Sequence, residues 1–137
     1  MKIVTVNKKA LQDYAILEKI ETGIVLTGKE VRAIREGKAD LKGSFAKIFN
    51  DELWLLNSYV GVLEEPDRTR KLLVKKIELK RLIGKVQEKN LTLIPIKMYF
   101  KNNMVKVELG LGRGLKKYDK REQIKKRDIN RQLKIEN

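Results

Sequence analysis

The chain has 137 residues, 42% of them hydrophobic, and a formal charge of +14 at pH 7, which is enough apolar material for one folded body around a single core. It contains neither Cys nor His, which excludes disulfides, thiolate nucleophiles, Ser–His or Cys–His catalytic pairs and the usual zinc sites. No leader-like segment and no apolar run of spanning length is present, so a cytoplasmic chain without metal or cofactor is expected.

In chain order, residues 1–6 read as a short extended start, and Asn7 as the N-cap of a single helical turn at 8–12. Residues 14–26 are strand-like, with Gly23 expected at a bulge or bend. Thr27 and Glu30 have capping-box spacing ahead of a short helix that buries Val31 and Ile34 and stops at Gly37. Residues 44–49 and 52–60 form a hairpin about Asn50-Asp51. Both its strands place apolar residues on both faces, which fits a closed or helix-covered sheet.

Glu64-Glu65-Pro66-Asp67 interrupts the pattern, and Arg68, Arg70 and Lys71 open a basic block. Residues 76–90 carry the clearest helical period, with Leu79, Leu82, Ile83 and Val86 on one face and Arg81 and Lys85 opposite. Residues 91–101 and 104–111 form a second hairpin about Asn102-Asn103. Pairing Lys101 with Met104 turns Met98 and Val107 inward and Tyr99 and Lys106 outward. An outward Tyr99 beside lysines is a candidate stacking site for RNA, or a plain cross-strand pair. The glycine-rich run 110–114 has no P-loop ending and reads as a flexible joint.

Five or six short strands with a covering helix predict a mainly β fold with short helices: a small closed barrel of the oligonucleotide-binding type over residues 1–112. Residues 113–137 form a basic tail with too thin an apolar stripe to order alone. Charge is concentrated in two places. Residues 68–89 carry nine positive and two negative side chains, residues 113–137 carry ten and four, and the other 90 residues contribute only +1. Two cationic patches on one small domain point to a polyanion, and neither has the apolar face of a membrane-surface helix. No catalytic constellation is present.

The blocks Asn7-Lys8-Lys9-Ala10, Ile20-Glu21-Thr22-Gly23-Ile24, residues 28–39 (GKEVRAIREGKA), Arg70-Lys71-Leu72-Leu73 and Tyr118-Asp119-Lys120-Arg121 resemble the small protein B family, the SsrA-binding proteins of bacteria. The resemblance covers nearly the whole chain, in order. It implies a non-enzymatic factor whose barrel grips the tRNA-like domain of transfer-messenger RNA. It also implies a tail that enters the empty mRNA channel of a stalled ribosome as a helix. Residues matching the family's RNA contacts are Asn7, Glu21, Leu73 and Lys106. In the ribosome-acting tail the match falls on Gly114, Asp119, Lys120 and Arg121, with the basic Lys125, Lys126 and Arg127 following. The family's longer loop before the basic block is reduced here to 61–67. Alternatives on charge alone are a ribosomal protein with a basic tail or a general single-stranded RNA binder. The second is weakened by an aromatic content of 6%. Nothing in the residues argues for more than a monomer.

Overall fold

The chain starts on β1 (Lys2–Val6) and turns at once into α1 (Lys8–Asp13). The expected cap is in place, because the Asn7 side chain accepts from the Ala10 N–H. The long β2 (Tyr14–Ile24) leads to α2 (Gly28–Arg35), entered through a complete capping box. Glu30 N–H donates to Thr27 Oγ1 at 3.2 Å, and Thr27 N–H donates to Glu30 Oε1 at 2.9 Å. Gly37, at φ +80, closes that helix. The apolar residues that α2 buries are Ala33 and Ile34, while Val31 is half-buried.

Four short strands follow: β3 (Ala39–Asp40), β4 (Phe45–Phe49), β5 (Glu52–Leu56) and β6 (Tyr59–Val60). Then come β7 (Arg70–Leu73), α3 (Lys76–Lys89), β8 (Thr92–Lys101) and β9 (Met104–Gly114). Both hairpin turns have two residues at positive φ, Asn50-Asp51 and Asn102-Asn103. That geometry matches the right-handed strand twist and favours Asn and Asp. The computed structural model describes residues 1–115, 121, 124 and 125.

Seven strands form one sheet in the order β1-β8-β9-β2-β7-β5-β4, all antiparallel, and β3 pairs with β6 beside it. The core is filled by Ile20, Ile34, Leu41, Leu53, Leu55, Leu72, Leu82, Met98, Val107 and Leu109, with Leu79 and Val86 of α3 packed against it.

Four expectations need correction. The barrel is not closed by a ladder, since β1 and β4 remain the ends of the strand order. At the gap, the backbone of β8 is engaged elsewhere: Asn7 donates its N–H to Ile96 O at 2.7 Å and its Nδ2 to Pro95 O at 3.0 Å. Pro95 itself has no N–H to offer. Second, the bulge of β2 lies between Ile16 and Glu18, not at Gly23. A matching irregularity between Pro95 and Lys97 sets Leu109 opposite Pro95. Third, the 110–114 run is no joint, because β9 continues through it. A Cβ on Gly112 would lie 2.4 Å from Ala15 O, so the glycine permits close strand approach. The strand's end is tied by Leu115 N–H to Asp13 O at 2.9 Å. Fourth, the β4–β5 hairpin is one-sided: Leu53 and Leu55 are buried, whereas Phe45 and Phe49 are exposed.

Candidate nucleic-acid interface

The ladders align four residues on the outer face of the sheet. Tyr99 of β8 pairs with Lys106 of β9, Lys106 with Gly23 of β2, and Gly23 with Leu73 of β7. Glu21, two residues before Gly23, shares its face by strand alternation. Because Gly23 has no side chain, the row has a gap in its middle. The gap is the floor of an open cleft of about 590 Å³, lined by Lys19, Glu21, Gly23, Leu73, Lys75, Glu78 and Lys106 among others. Three of the four contacts implied by the resemblance, Glu21, Leu73 and Lys106, therefore lie in one place. Leu73 is a 49% exposed leucine on the rim. It also borders a second, more apolar groove shared with Val31, Met104 and Lys106.

Lys19, Lys75 and Glu78 line the cleft but were not singled out from the sequence. Lys19 was within reach of period-two reasoning, since it alternates with Glu21 along one strand. Lys75 and Glu78 arrive only through the packing of α3 beside β2.

Glu21 is held in place. The Tyr99 hydroxyl donates to Glu21 Oε2 at 2.5 Å, and Lys101 Nζ lies 3.4 Å away. The hydrogen bond from Tyr99 is the main reason the carboxyl sits below its ordinary pKa, with burial opposing and Lys101 assisting. Burial and the Glu21 carboxylate together push the Tyr99 hydroxyl well above the ordinary phenol range. Tyr99 is 2% exposed, with Lys97 Nζ over its ring at 5.5 Å. It is thus no stacking platform, although it does lie on the outward register: its ring is covered by neighbouring side chains and its hydroxyl orients Glu21.

The first basic block is largely neutralised from within. Arg70 is completely buried, donating from Nε to Glu30 Oε2 at 2.7 Å and from its other nitrogens to Ser58 and Pro66. Arg68 donates to both oxygens of the same carboxylate, at 3.0 and 2.5 Å. Burial alone would raise Glu30, but the hydrogen bonds from Arg68, the Thr27 N–H and Arg70 outweigh it and hold the group at about 2. The expectation that Arg70 faces RNA is therefore corrected. It clamps α2, β7 and the 58–66 segment together, and Arg68 belongs mainly to the same clamp.

Lys71 is partly exposed, pairs with Glu52 at 3.5 Å, and lies across β7 from the cleft. On α3, Arg81 and Lys85 both bind Glu18, at 2.5 and 2.7 Å, and Arg81 also pairs with Glu78. The hydrogen bonds from Arg81 and then Lys85 lower Glu18 to about 2. Among the described residues, Lys19, Lys75 and Lys106 have no ion pair, so all three cations that line the cleft are available to a phosphate.

Asn7 is buried and occupied with capping α1 and tying it to β8. Gly114 is the last residue of β9. Arg121 and Lys125 are exposed and helical, and Asp119, Lys120, Lys126 and Arg127 lie outside the described residues. Among the described residues no acidic cluster suits a metal ion, and no helix is long and apolar enough to cross a membrane.

The family model described as SmpB protein matches residues 4–136. The chain is 52% identical over 139 residues to the SsrA-binding protein of Carboxydothermus hydrogenoformans, covering 96% of this chain and 93% of that protein. To the SsrA-binding protein of Thermosipho africanus it is 52% identical over 141 residues, covering 97% and 95%. It is also similar to a chain in a solved structure described as "tmRNA-SmpB: a journey to the center of the bacterial ribosome". There the identity is 45% and the TM-score 0.67, over 87% of this chain and 92% of that one.

Proposed function

The chain belongs to the SmpB family, and from that membership we propose that it is a non-enzymatic cytoplasmic factor that binds the tRNA-like domain of transfer-messenger RNA. It delivers that RNA to stalled ribosomes for trans-translation. The observation that carries the reading is the cleft between β2, β7 and β9, where Glu21, Leu73 and Lys106 converge beside Lys19 and Lys75, which have no ion pair among the described residues. A carboxylate fixed by Tyr99 accepts from ribose or base donors, an exposed leucine packs on a sugar or base face, and lysines take phosphates.

We take the sheet to be a barrel of the oligonucleotide-binding type whose seam is packed by side chains instead of hydrogen-bonded. Ala46 and Ile48 of β4 and Leu93 of β8 in one core cluster support this. The body ends with β9, and residues beyond 115, including Asp119, Lys120, Arg121, Lys125, Lys126 and Arg127, act in the mRNA channel. As a helix, the 19 residues after Tyr118 would reach about 28 Å.

The test is a reconstituted rescue assay run beside RNA-binding isotherms, on the full chain and on one ending at Tyr118. Binding of the tRNA-like domain should persist in the shortened chain, and peptide tagging should vanish. Loss of both together would overturn the division of labour, and full tagging by the shortened chain would remove the tail from the mechanism.

A further inference from the structure

The outer face of β4 and β5 carries aromatic rings that are partly open to solvent. Phe45 is 43% and Phe49 59% exposed. With Trp54, Leu56, Lys47 and Thr69, Phe49 lines a cleft of about 290 Å³. The register places Lys47 on one side of Trp54 and Lys71 on the other, in a single cross-strand row. Phe45 and Phe49 flank Lys47 along β4 by strand alternation. Trp54 Nε1 donates to Phe49 O at 3.4 Å, which fixes the edge of the indole.

An apolar patch on a sheet commonly meets another protein, but the cores of such interfaces are depleted in lysine. Here a lysine sits between two phenylalanines, and a second flanks the indole. Ring faces alternating with ammonium groups suit a strand of unpaired bases joined by phosphates, since every base offers a π-face and every linkage a negative charge. The tRNA-like-domain cleft has no such platform, because no aromatic residue among the described residues lines it. The two surfaces share β7: Leu73 borders the cleft, and Lys71, two residues earlier on the same face, borders the aromatic row.

We propose that the β4–β5 face is a second RNA surface. It stacks unpaired bases on Trp54, Phe49 and Phe45 and holds their phosphates with Lys47 and Lys71, where phosphate displaces Glu52 from Lys71. This surface acts independently of the cleft and gives the protein contact with single-stranded RNA outside the tRNA-like fold.

Trp54 is the only tryptophan, so the full-length chain reports on the site by its own fluorescence. A short oligouridylate should quench Trp54 saturably, and a polyphosphate of equal charge should not. Lys47→Ala with Phe49→Ala should weaken the oligouridylate about fivefold or more while leaving affinity for the tRNA-like domain unchanged. Lys47→Glu alone, at an exposed position, should act in the same direction. Leu73→Ala with Lys106→Ala should do the opposite, losing the tRNA-like domain and keeping the quenching. Absent quenching, equal quenching by polyphosphate, or unchanged affinity in both Lys47 variants overturns the proposal. So does a concentration-dependent dimer that the Lys47/Phe49 variant abolishes without any effect of RNA, which would make this face a protein interface.

Discussion

The Tyr99 hydroxyl and the Glu21 carboxylate meet at 2.5 Å although 78 residues separate them. The pair joins β8 to β2 across the intervening β9 and fixes the acceptor at the edge of the proposed RNA cleft. A carboxylate held this way presents its second oxygen in a defined direction, which a freely rotating Glu would not.

Replacing Tyr99 by Phe keeps the ring and removes only the donor. The variant should lose roughly 1.5–3 kcal/mol of stability, the usual scale for a hydrogen bond to a charged group. It should also bind the tRNA-like domain more weakly. Glu21→Gln should weaken binding as well, and the double variant should do no more harm than the worse single one. Isotherms for the four proteins check this, and full additivity would mean that Tyr99 does not act through Glu21.

Lys106 and Met98 lie on opposite faces of the second hairpin. Lys106→Ala should weaken RNA binding by about 1 kcal/mol with little change in thermal midpoint. Met98 is wholly buried, and Met98→Ala should cost about 2–5 kcal/mol of stability. Thermal melts and isotherms on both variants separate the two roles.

Acid should attack the Glu30 clamp. The folded-state pKa of Glu30 is about 2 against an ordinary 4.5, so the unfolded chain binds the proton more readily. The stabilisation is fully present above about pH 5 and is lost as pH falls toward 2. Glu18 follows the same course. Glu30→Gln leaves Arg70 buried without its counter-charge and should cost about 3–5 kcal/mol at neutral pH. The same change should flatten the acid limb of the stability profile, as followed by denaturant titrations at several pH values.

Salt dependence should be milder than +14 suggests. With Lys19, Lys75 and Lys106 as the available cations of the cleft, log K for the tRNA-like domain should fall against log salt with a slope between about −2 and −3. A chain ending at Tyr118 is the cleaner sample, since the tail adds its own contacts. A slope steeper than about −5 would mean that cations outside the cleft also contact the RNA.

Local chemistry was readable from the sequence wherever neighbours in the chain decide it. The Asn7 cap, the Thr27–Glu30 capping box and both two-residue turns depend on residues within a few positions of each other, and the register from Lys101 to Lys97 runs outward from such a turn. What escaped depends on distant partners. Counting Lys and Arg treats each as free, yet Glu30 takes two arginines from about 40 residues away and Glu18 takes two cations of α3. Period-two alternation sets Tyr99 on the outward register, but it does not show that Lys97 lies over its ring or that Glu21 takes its hydroxyl. Gly112 looked like a hinge because a sequence does not reveal Ala15 O at contact distance. Of the candidate contacts, Lys106 followed from alternation alone, whereas Glu21 and Leu73 came from the resemblance, since neither is distinguished by charge or period.

Strand β9 has Lys106 near one end and Gly114 at the other, and it is hydrogen-bonded on both sides over most of that length. At about 3.3 Å per residue these two points are some 26 Å apart, and no hinge intervenes. The chain beyond 115 is therefore tethered at a set distance from the cleft, so β9 works as a rigid strut. On the proposed division of labour, the spacing between the RNA in the cleft and the partner of the tail is built into the length of a single strand.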